Sequence, residues 1–132
     1  GYPVCRTRIQ TMLNRFAANP VVLAGDTHNA WAFNLQDEQR NPIGVEIGTP
    51  GITSPGMESF LPVEPRVLAN ALMQSSPELA ALDTQHRGWA EIELTPGAMR
   101  AQWHFVSSVL ERDYSVSQSE PQICKAGARR FT

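Results

Sequence analysis

The segment around Pro20 constrains the fold of this chain more than any other feature. Residues 6–19 carry apolar side chains at the three- and four-residue spacing of an amphipathic helix, at Ile9, Met12, Leu13 and Phe16. Pro20 ends this helix, because the residue before a proline disfavours helical backbone. A continuous apolar run, residues 21–24, follows at once and predicts a strand that is buried on both faces. This order of elements is typical of α/β proteins.

The polar turn at residues 25–29 is the first candidate for a functional site, because α/β proteins bind ligands beyond the carboxyl ends of their strands. In this turn Asp26 and His28 are two positions apart, and Gly25 lets the backbone turn tightly. A carboxylate suits hard cations, and an imidazole suits iron or zinc. The turn therefore predicts a metal site, although a turn-capping aspartate and a hydrogen-bonded structural histidine would give the same sequence.

The rest of the pattern mixes strands and helices. Residues 88–94 and 99–105 alternate apolar and polar side chains on either side of a Pro-Gly turn, which predicts an antiparallel hairpin. Trp103 and Phe105 belong to its buried face. The other predicted elements are strands at 30–35, 43–47 and 113–117, an irregular loop at 48–56, a helix at 64–73 and a short helix that begins at Ser76. The predicted fold class is therefore α/β (α+β).

Composition places the chain among ordered proteins of one domain, or a piece of a larger one. Its 132 residues are 42% hydrophobic and 18% charged, which is enough apolar sequence to form a buried core. The net charge of −2 gives no indication of a nucleic-acid-binding surface, and no apolar run is long enough to span a membrane. We expect residues 1–116 to form the folded domain and residues 117–132 to form a polar tail that either packs or frays.

Five further residues have alternative interpretations. Cys5 and Cys124 lie near opposite ends of the sequence, so they form a disulfide if the ends meet and are free thiols otherwise. Asn29 would hydrogen-bond a substrate phosphate, or it would form the turn, which is the commoner role of asparagine. His86 and His104 are expected to be surface or hydrogen-bonding residues rather than metal ligands.

Four segments, in the same order along the chain, resemble the PhoD-like alkaline phosphatases/phosphodiesterases. The matching segments are Gly1-Tyr2-Pro3, residues 21–31, residues 44–56, and residues 86–94 with 103–106. The second segment carries the apolar strand, the sequence Gly-Asp-x-His and a tryptophan. The third carries Val-Glu, then Thr-Pro and Ile-Thr-Ser, and the fourth looks like the closing hairpin of the family. Through these segments the chain is identified as a member of the PhoD-like family.

The resemblance implies a calcineurin-like metallophosphoesterase, of which this chain would be the C-terminal half of a four-layer α/β/β/α sandwich. The metals of the family are ferric iron and calcium, and its substrates are phosphate mono- and diesters, which are hydrolysed with the help of the metals. By the same resemblance His28 would ligate Fe³⁺ and Asp26 would ligate Ca²⁺. Asn29 is the candidate substrate-binding residue. The family also implies a periplasmic or secreted location.

The sequence departs from the family in its metal ligands, because the other ligands belong to an N-terminal half that this sequence does not contain. Cys5 follows the Gly-Tyr-Pro segment and therefore does not correspond to the metal-binding cysteine of the family. We expect the chain to be a C-terminal fragment or subunit that needs the N-terminal half of the same protein for activity. The alternative is a catalytically inert α/β subdomain, or a binding module without activity on its own.

Overall fold

Eight strands in two sheets and two α-helices make up the described part of the chain, residues 2–132, in a computed structural model. Gly1, which belongs to the first predicted match, lies outside the described residues. The helices are α1 (Pro3–Phe16) and α2 (Pro65–Ser75), and a single 3₁₀ turn covers Met57–Ser59. The strands are β1 (Val21–Ala24), β2 (Ala30–Gln36), β3 (Pro42–Gly48), β4 (Leu79–Asp83), β5 (Arg87–Leu94), β6 (Ala98–Val106), β7 (Val116–Gln118) and β8 (Gln122–Lys125). The predicted α/β class is confirmed.

The first sheet has the strand order β1-β3-β2-β4. β1 and β3 are parallel, whereas β2 pairs antiparallel with both β3 and β4. The carboxyl ends of β1, β3 and β4 and the start of β2 therefore lie along one border of the sheet, where these strands end. We call this border the site edge. Three connections meet there: residues 25–29, residues 49–56 and residues 84–86.

The second sheet packs against the first and completes the core. β5 and β6 form the predicted hairpin, and β7 and β8 both pair with β6. Trp103 and Phe105 of β6 are buried, as their alternation predicts, and they pack in one cluster with Val45 and Ile47 of the first sheet. The indole Nε1 of Trp103 also donates a hydrogen bond to the carbonyl oxygen of Gly48, 2.9 Å away. This bond ties the hairpin to the end of β3.

Two predictions about the N-terminal part were wrong in detail. α1 begins three residues earlier than predicted, with Pro3 in its first turn. It also ends three residues earlier, because the backbone of Ala17 is already extended. β1 is not buried on both faces, and Leu23 is 65% exposed. The reason is that β1 is the outermost strand of its sheet, and no strand of residues 2–132 pairs with its outer side.

The predicted short helix at Ser76 was also wrong. Ser76 is instead the C-cap residue of α2, and its carbonyl oxygen accepts a hydrogen bond from the N–H of Leu79. Leu79 then begins β4, which pairs with β2. The Ser-Pro pair fits a helix start and a turn equally well, and it forms a turn because pairing with β2 holds the following apolar residues extended.

The C-terminal segment packs rather than frays. The predicted strand at 113–117 is shifted to Val116–Gln118, so the predicted domain boundary falls at the start of β7. β8 pairs with β6, and Phe131 near the end of the chain is buried in the core.

Cys124 is a buried free thiol, whereas Cys5 is an exposed free thiol on α1. Burial raises the pKa of the Cys124 thiol.

The apolar side chains of α1 lie on its exposed side. Ile9, Met12 and Phe16 are 58%, 60% and 72% exposed. The amphipathic pattern therefore predicts the helix correctly, but the described part of this chain does not cover its apolar face.

Neither α1 nor α2 combines the length and the apolar character needed to cross a bilayer. The four-layer sandwich stays a prediction.

Replacing Trp103 with phenylalanine should lower the free energy of unfolding by roughly 1–3 kcal/mol, because it leaves the carbonyl of Gly48 without its buried indole donor. Urea unfolding followed by circular dichroism measures the change. Trp89→Phe on the same hairpin is the matched control and should cost less, since Trp89 is 41% exposed. Equal losses for the two variants would contradict the role given to the bond between Trp103 and Gly48.

Candidate functional site

The turn at residues 25–29 holds two non-glycine residues in the left-handed backbone conformation. The φ angles of Asp26 and His28 are 70° and 60°. Such conformations cost roughly 1–3 kcal/mol each and persist only where neighbouring groups hold them. Here the N–H of Thr27 donates to the carbonyl oxygen of Gly25 at 2.8 Å, and Oγ1 of Thr27 accepts from Nε1 of Trp31 at 2.7 Å. The backbone strain therefore falls on the two predicted metal ligands.

His28 is held with one ring nitrogen free for a ligand. Its Nδ1 lies 2.8 Å from the carbonyl oxygen of Pro55. Because a carbonyl oxygen only accepts hydrogen bonds, Nδ1 carries a proton, and in the neutral ring the lone pair is on Nε2. A backbone carbonyl on the other ring nitrogen is a common support for a metal-binding histidine. His28 therefore meets the chemical requirements of an imidazole ligand.

Asp26 lies at the site edge, two residues from His28, and its side chain is exposed. A carboxylate must be exposed in this way to bind a cation from outside the chain. Among residues 2–132, however, no three histidine, cysteine, aspartate or glutamate side chains form a cluster that could hold a metal ion. Zinc and calcium sites in proteins use four or more ligands. The turn therefore supplies two candidate side-chain donors and does not form a complete metal site by itself.

Asn29, the candidate substrate-binding residue, is fully buried. Its Nδ2 donates to the carbonyl oxygen of Thr27 at 2.8 Å, and its Oδ1 lies 3.4 Å from the backbone nitrogen of Met57. Both ends of the amide thus contact the backbone and connect the turn to the 3₁₀ turn. A contact between Asn29 and substrate stays a prediction.

A buried arginine, which the sequence pattern does not single out, joins the segments of the site edge. Arg87, at the start of β5, is 7% exposed. Its Nη1 donates to the carbonyl oxygens of His28 and His86 at 3.0 and 2.9 Å, and its Nη2 donates to the carboxylate of Glu58. Arg87 thus joins its own segment to two others, the turn with His28 and the 3₁₀ turn with Glu58. In the sequence it is only an arginine before a glycine, which does not distinguish it from a surface residue.

Glu58 is the charged partner of Arg87. Burial alone raises the pKa of Glu58, but hydrogen bonds from Arg87 and from the N–H of Gly56 more than offset this, so the pKa lies below its ordinary value. Gly56 has no room for a side chain, because a Cβ there would lie 2.5 Å from Oδ1 of Asn29 and 2.8 Å from Nη2 of Arg87. These polar side chains therefore pack closely around Gly56, and a larger residue there would have to displace them.

Asp83 and His86 form a hydrogen-bonded pair where β4 ends. Nδ1 of His86 lies 2.8 Å from Oδ2 of Asp83, whose Oδ1 accepts from the N–H groups of Gln85 and His86 at 2.9 and 2.7 Å. His104 lies on β6, and its Nε2 is 2.8 Å from Oε2 of Glu91. Both histidines thus pair with a carboxylate, and His86 is the one at the site edge.

Replacing Arg87 with lysine should lower the free energy of unfolding by about 2–3 kcal/mol, because an ammonium group cannot make the forked contacts to both carbonyls and to Glu58. Urea denaturation measures the loss. The matched control is Arg66→Lys on the exposed side of α2, which should change stability by less than about 0.5 kcal/mol. A loss no larger than that of the control would contradict the role of Arg87.

The stability should also depend on pH through Glu58. A carboxyl group whose folded pKa is lowered stabilises the protein above its unfolded pKa, which is 4.5 for glutamate, and loses this contribution as the pH falls through the folded pKa. The unfolding free energy should therefore decrease below pH 4.5, and Glu58→Gln should flatten that decrease. Glu111→Gln, an exposed control, should keep the wild-type slope. Unfolding curves at several acidic pH values test this.

Comparison with known proteins agrees with this architecture. The sequence profile of the PhoD-like phosphatase family matches residues 1–103. Alkaline phosphatase D from Bacillus subtilis (strain 168) is 26% identical over 122 residues, which cover 89% of this chain and 20% of that protein. A solved structure of PhoD shares the fold with a TM-score of 0.76 at 20% identity, over 99% of this chain and 25% of that one.

The chain thus spans a fifth to a quarter of the length of these relatives. The family profile covers most of the chain, including the turn with Asp26 and His28 and the buried Arg87. The likeness to the solved structure extends over both sheets. This chain therefore belongs to the PhoD-like phosphatase family.

Proposed function

We propose that this chain is part of a metal-dependent phosphoric ester hydrolase, an alkaline phosphatase or phosphodiesterase, and that it supplies part of the metal site. The observation that carries the proposal is the arrangement of His28, whose Nδ1 is held by the carbonyl of Pro55 so that Nε2 is left for a ligand. This histidine lies at the site edge of a chain from a phosphatase family, which supports phosphate ester hydrolysis as the reaction.

Ferric iron and calcium, which the family resemblance implies, would polarise the phosphoryl oxygens and activate the attacking water. Nε2 of His28 suits the iron, and the exposed carboxylate of Asp26 suits calcium because it is a hard oxygen donor. Both residues would hold the metals without touching the phosphoryl group. Arg87 would act as a positioning residue, because its Nη1 binds the carbonyl oxygen of His28.

The other metal ligands would come from the N-terminal half of the same protein. Two surfaces of this chain support such a partner. The apolar side chains Ile9, Met12 and Phe16 are exposed together on α1, which is typical of an interaction surface. β1 is an edge strand with an exposed Leu23, and the unpaired edge of a strand can pair with another strand.

The alternative function for the chain alone is an inert subdomain or a binding module. It is favoured by one observation, namely that residues 2–132 bring no third histidine, cysteine, aspartate or glutamate into a cluster with two others. The two proposals differ in whether the addition of the N-terminal half creates activity.

The purified 132-residue chain should hydrolyse phosphate esters negligibly and bind iron and calcium weakly. Two side-chain donors leave most coordination positions to water, so metal affinity falls and the water is poorly activated. Mixing the chain with the N-terminal half should restore hydrolysis. Turnover of a chromogenic phosphodiester with iron and calcium supplied, and the metal content after dialysis, measure the two effects.

In the assembled enzyme, His28→Ala should reduce activity by orders of magnitude and lower the iron content, because it removes a proposed iron ligand. The matched control is His104→Ala on β6, which should change both quantities little. If the purified chain alone turned over the diester robustly, and His28→Ala did not affect that turnover, both the fragment and its site would be wrong.

A further inference from the structure

An open cleft of about 740 Å³ borders the site edge and has no role in the proposal above. Its lining combines hydroxyl groups and an imidazole with an apolar rim, at Thr53, His86, Ser107, Ser108, Val109 and Leu110. The arginine in this cleft, Arg87, already contacts the carboxylate of Glu58. A lining with hydroxyl and apolar groups and a paired cation suits a neutral organic group better than a free phosphate ion.

The cleft and the turn with His28 are neighbouring parts of one surface. Pro55 lines the cleft, and its carbonyl oxygen accepts the hydrogen bond from Nδ1 of His28. Nη1 of Arg87 lies within 3.0 Å of the carbonyl oxygens of both His28 and His86. A phosphate ester bound beside His28 would therefore have its organic group next to the cleft.

The contacts of His86 are those of a positioned general acid. Its Nδ1 donates to Oδ2 of Asp83 at 2.8 Å, and two backbone N–H groups hold the other oxygen of that carboxylate. The ring also packs against Phe105, with 5.1 Å between the ring centroids. These contacts fix the orientation of the imidazole and occupy Nδ1, while the side chain is still 43% exposed. Nε2 is therefore the atom that can exchange a proton.

We propose that this cleft binds the alcohol portion of a phosphate ester and that His86 is the catalytic acid that protonates the departing alcohol oxygen. The inference rests on the phosphoesterase function proposed above and extends it to a substrate class. That class is the esters of aliphatic alcohols, whose oxygen is a poor leaving group unless it receives a proton.

In the proposed step, the oxygen of a water molecule forms a bond to phosphorus and releases a proton to solvent. The bond between phosphorus and the ester oxygen breaks, and its electron pair goes to that oxygen. The oxygen takes the proton from Nε2 of the protonated His86, and the alcohol leaves as a neutral molecule. The ring stays hydrogen-bonded to Asp83 through Nδ1 during the transfer. His86 regains its proton from solvent water.

The test compares two phosphate esters in the enzyme assembled from this chain and the N-terminal half. One ester carries an alkyl leaving group, and the other carries nitrophenolate, which leaves without a proton. His86→Gln should lower kcat/KM for the alkyl ester by about 10²- to 10⁴-fold, the usual contribution of a general acid, and should leave the nitrophenyl ester nearly unchanged. Asp83→Asn should show the same selectivity with a smaller loss, and it decides the question if His86→Gln does not fold.

The matched control is His104→Gln, which removes another imidazole paired with a carboxylate but lies outside the cleft. It should change the rates for the two esters by the same factor. If His86→Gln lowered the rates for both esters equally, with an unchanged unfolding midpoint, the role of His86 would be overturned, but the proposed function would not. An unmodified assembled enzyme that hydrolyses neither ester would overturn the proposed function and this inference with it.

Discussion

The guanidinium of Arg87 is the interaction on which the arrangement of the site edge depends. It is buried, and it contacts the carbonyl of His28 and the carboxylate of Glu58 from two separate segments, as well as the carbonyl of His86, the preceding residue. A buried charge without such partners costs several kcal/mol, so these contacts are a condition for burying the arginine at all. The position of His28 is thus coupled through Arg87 to that of His86, which directly precedes Arg87 in the chain.

Sequence reasoning succeeded where a feature depends on local periodicity. The alternation along β6 predicts that Trp103 and Phe105 are buried, because each alternate side chain of a strand points to the same face. The order of apolar strand and polar turn likewise predicts the location of Asp26 and His28. The helix expected at Ser76 failed because its local signals fit two structures, and pairing between β4 and β2 decides between them.

The contacts of Arg87 could not be predicted in the same way. Its partner Glu58 is 29 positions away, and the carbonyl of His28 is 59 positions away. No pattern within a window of a few residues contains such pairs. The packing around Gly56 is also largely non-local, because two of the three residues that a Cβ would meet, Asn29 and Arg87, are distant in the sequence. The position of the turn is therefore readable from sequence, whereas the contacts that support it require the fold.

The two cysteines have very different surroundings, and this has a practical consequence. Thiol reagents need an accessible sulfur that can ionise, and Cys124 is buried with a raised pKa. Cys5 is exposed on α1, the helix whose apolar side chains are uncovered. A maleimide dye would therefore attach at a single position without any mutation. Its fluorescence would report directly on the covering of that helix, so the native sequence already contains a labelling site for following assembly in real time.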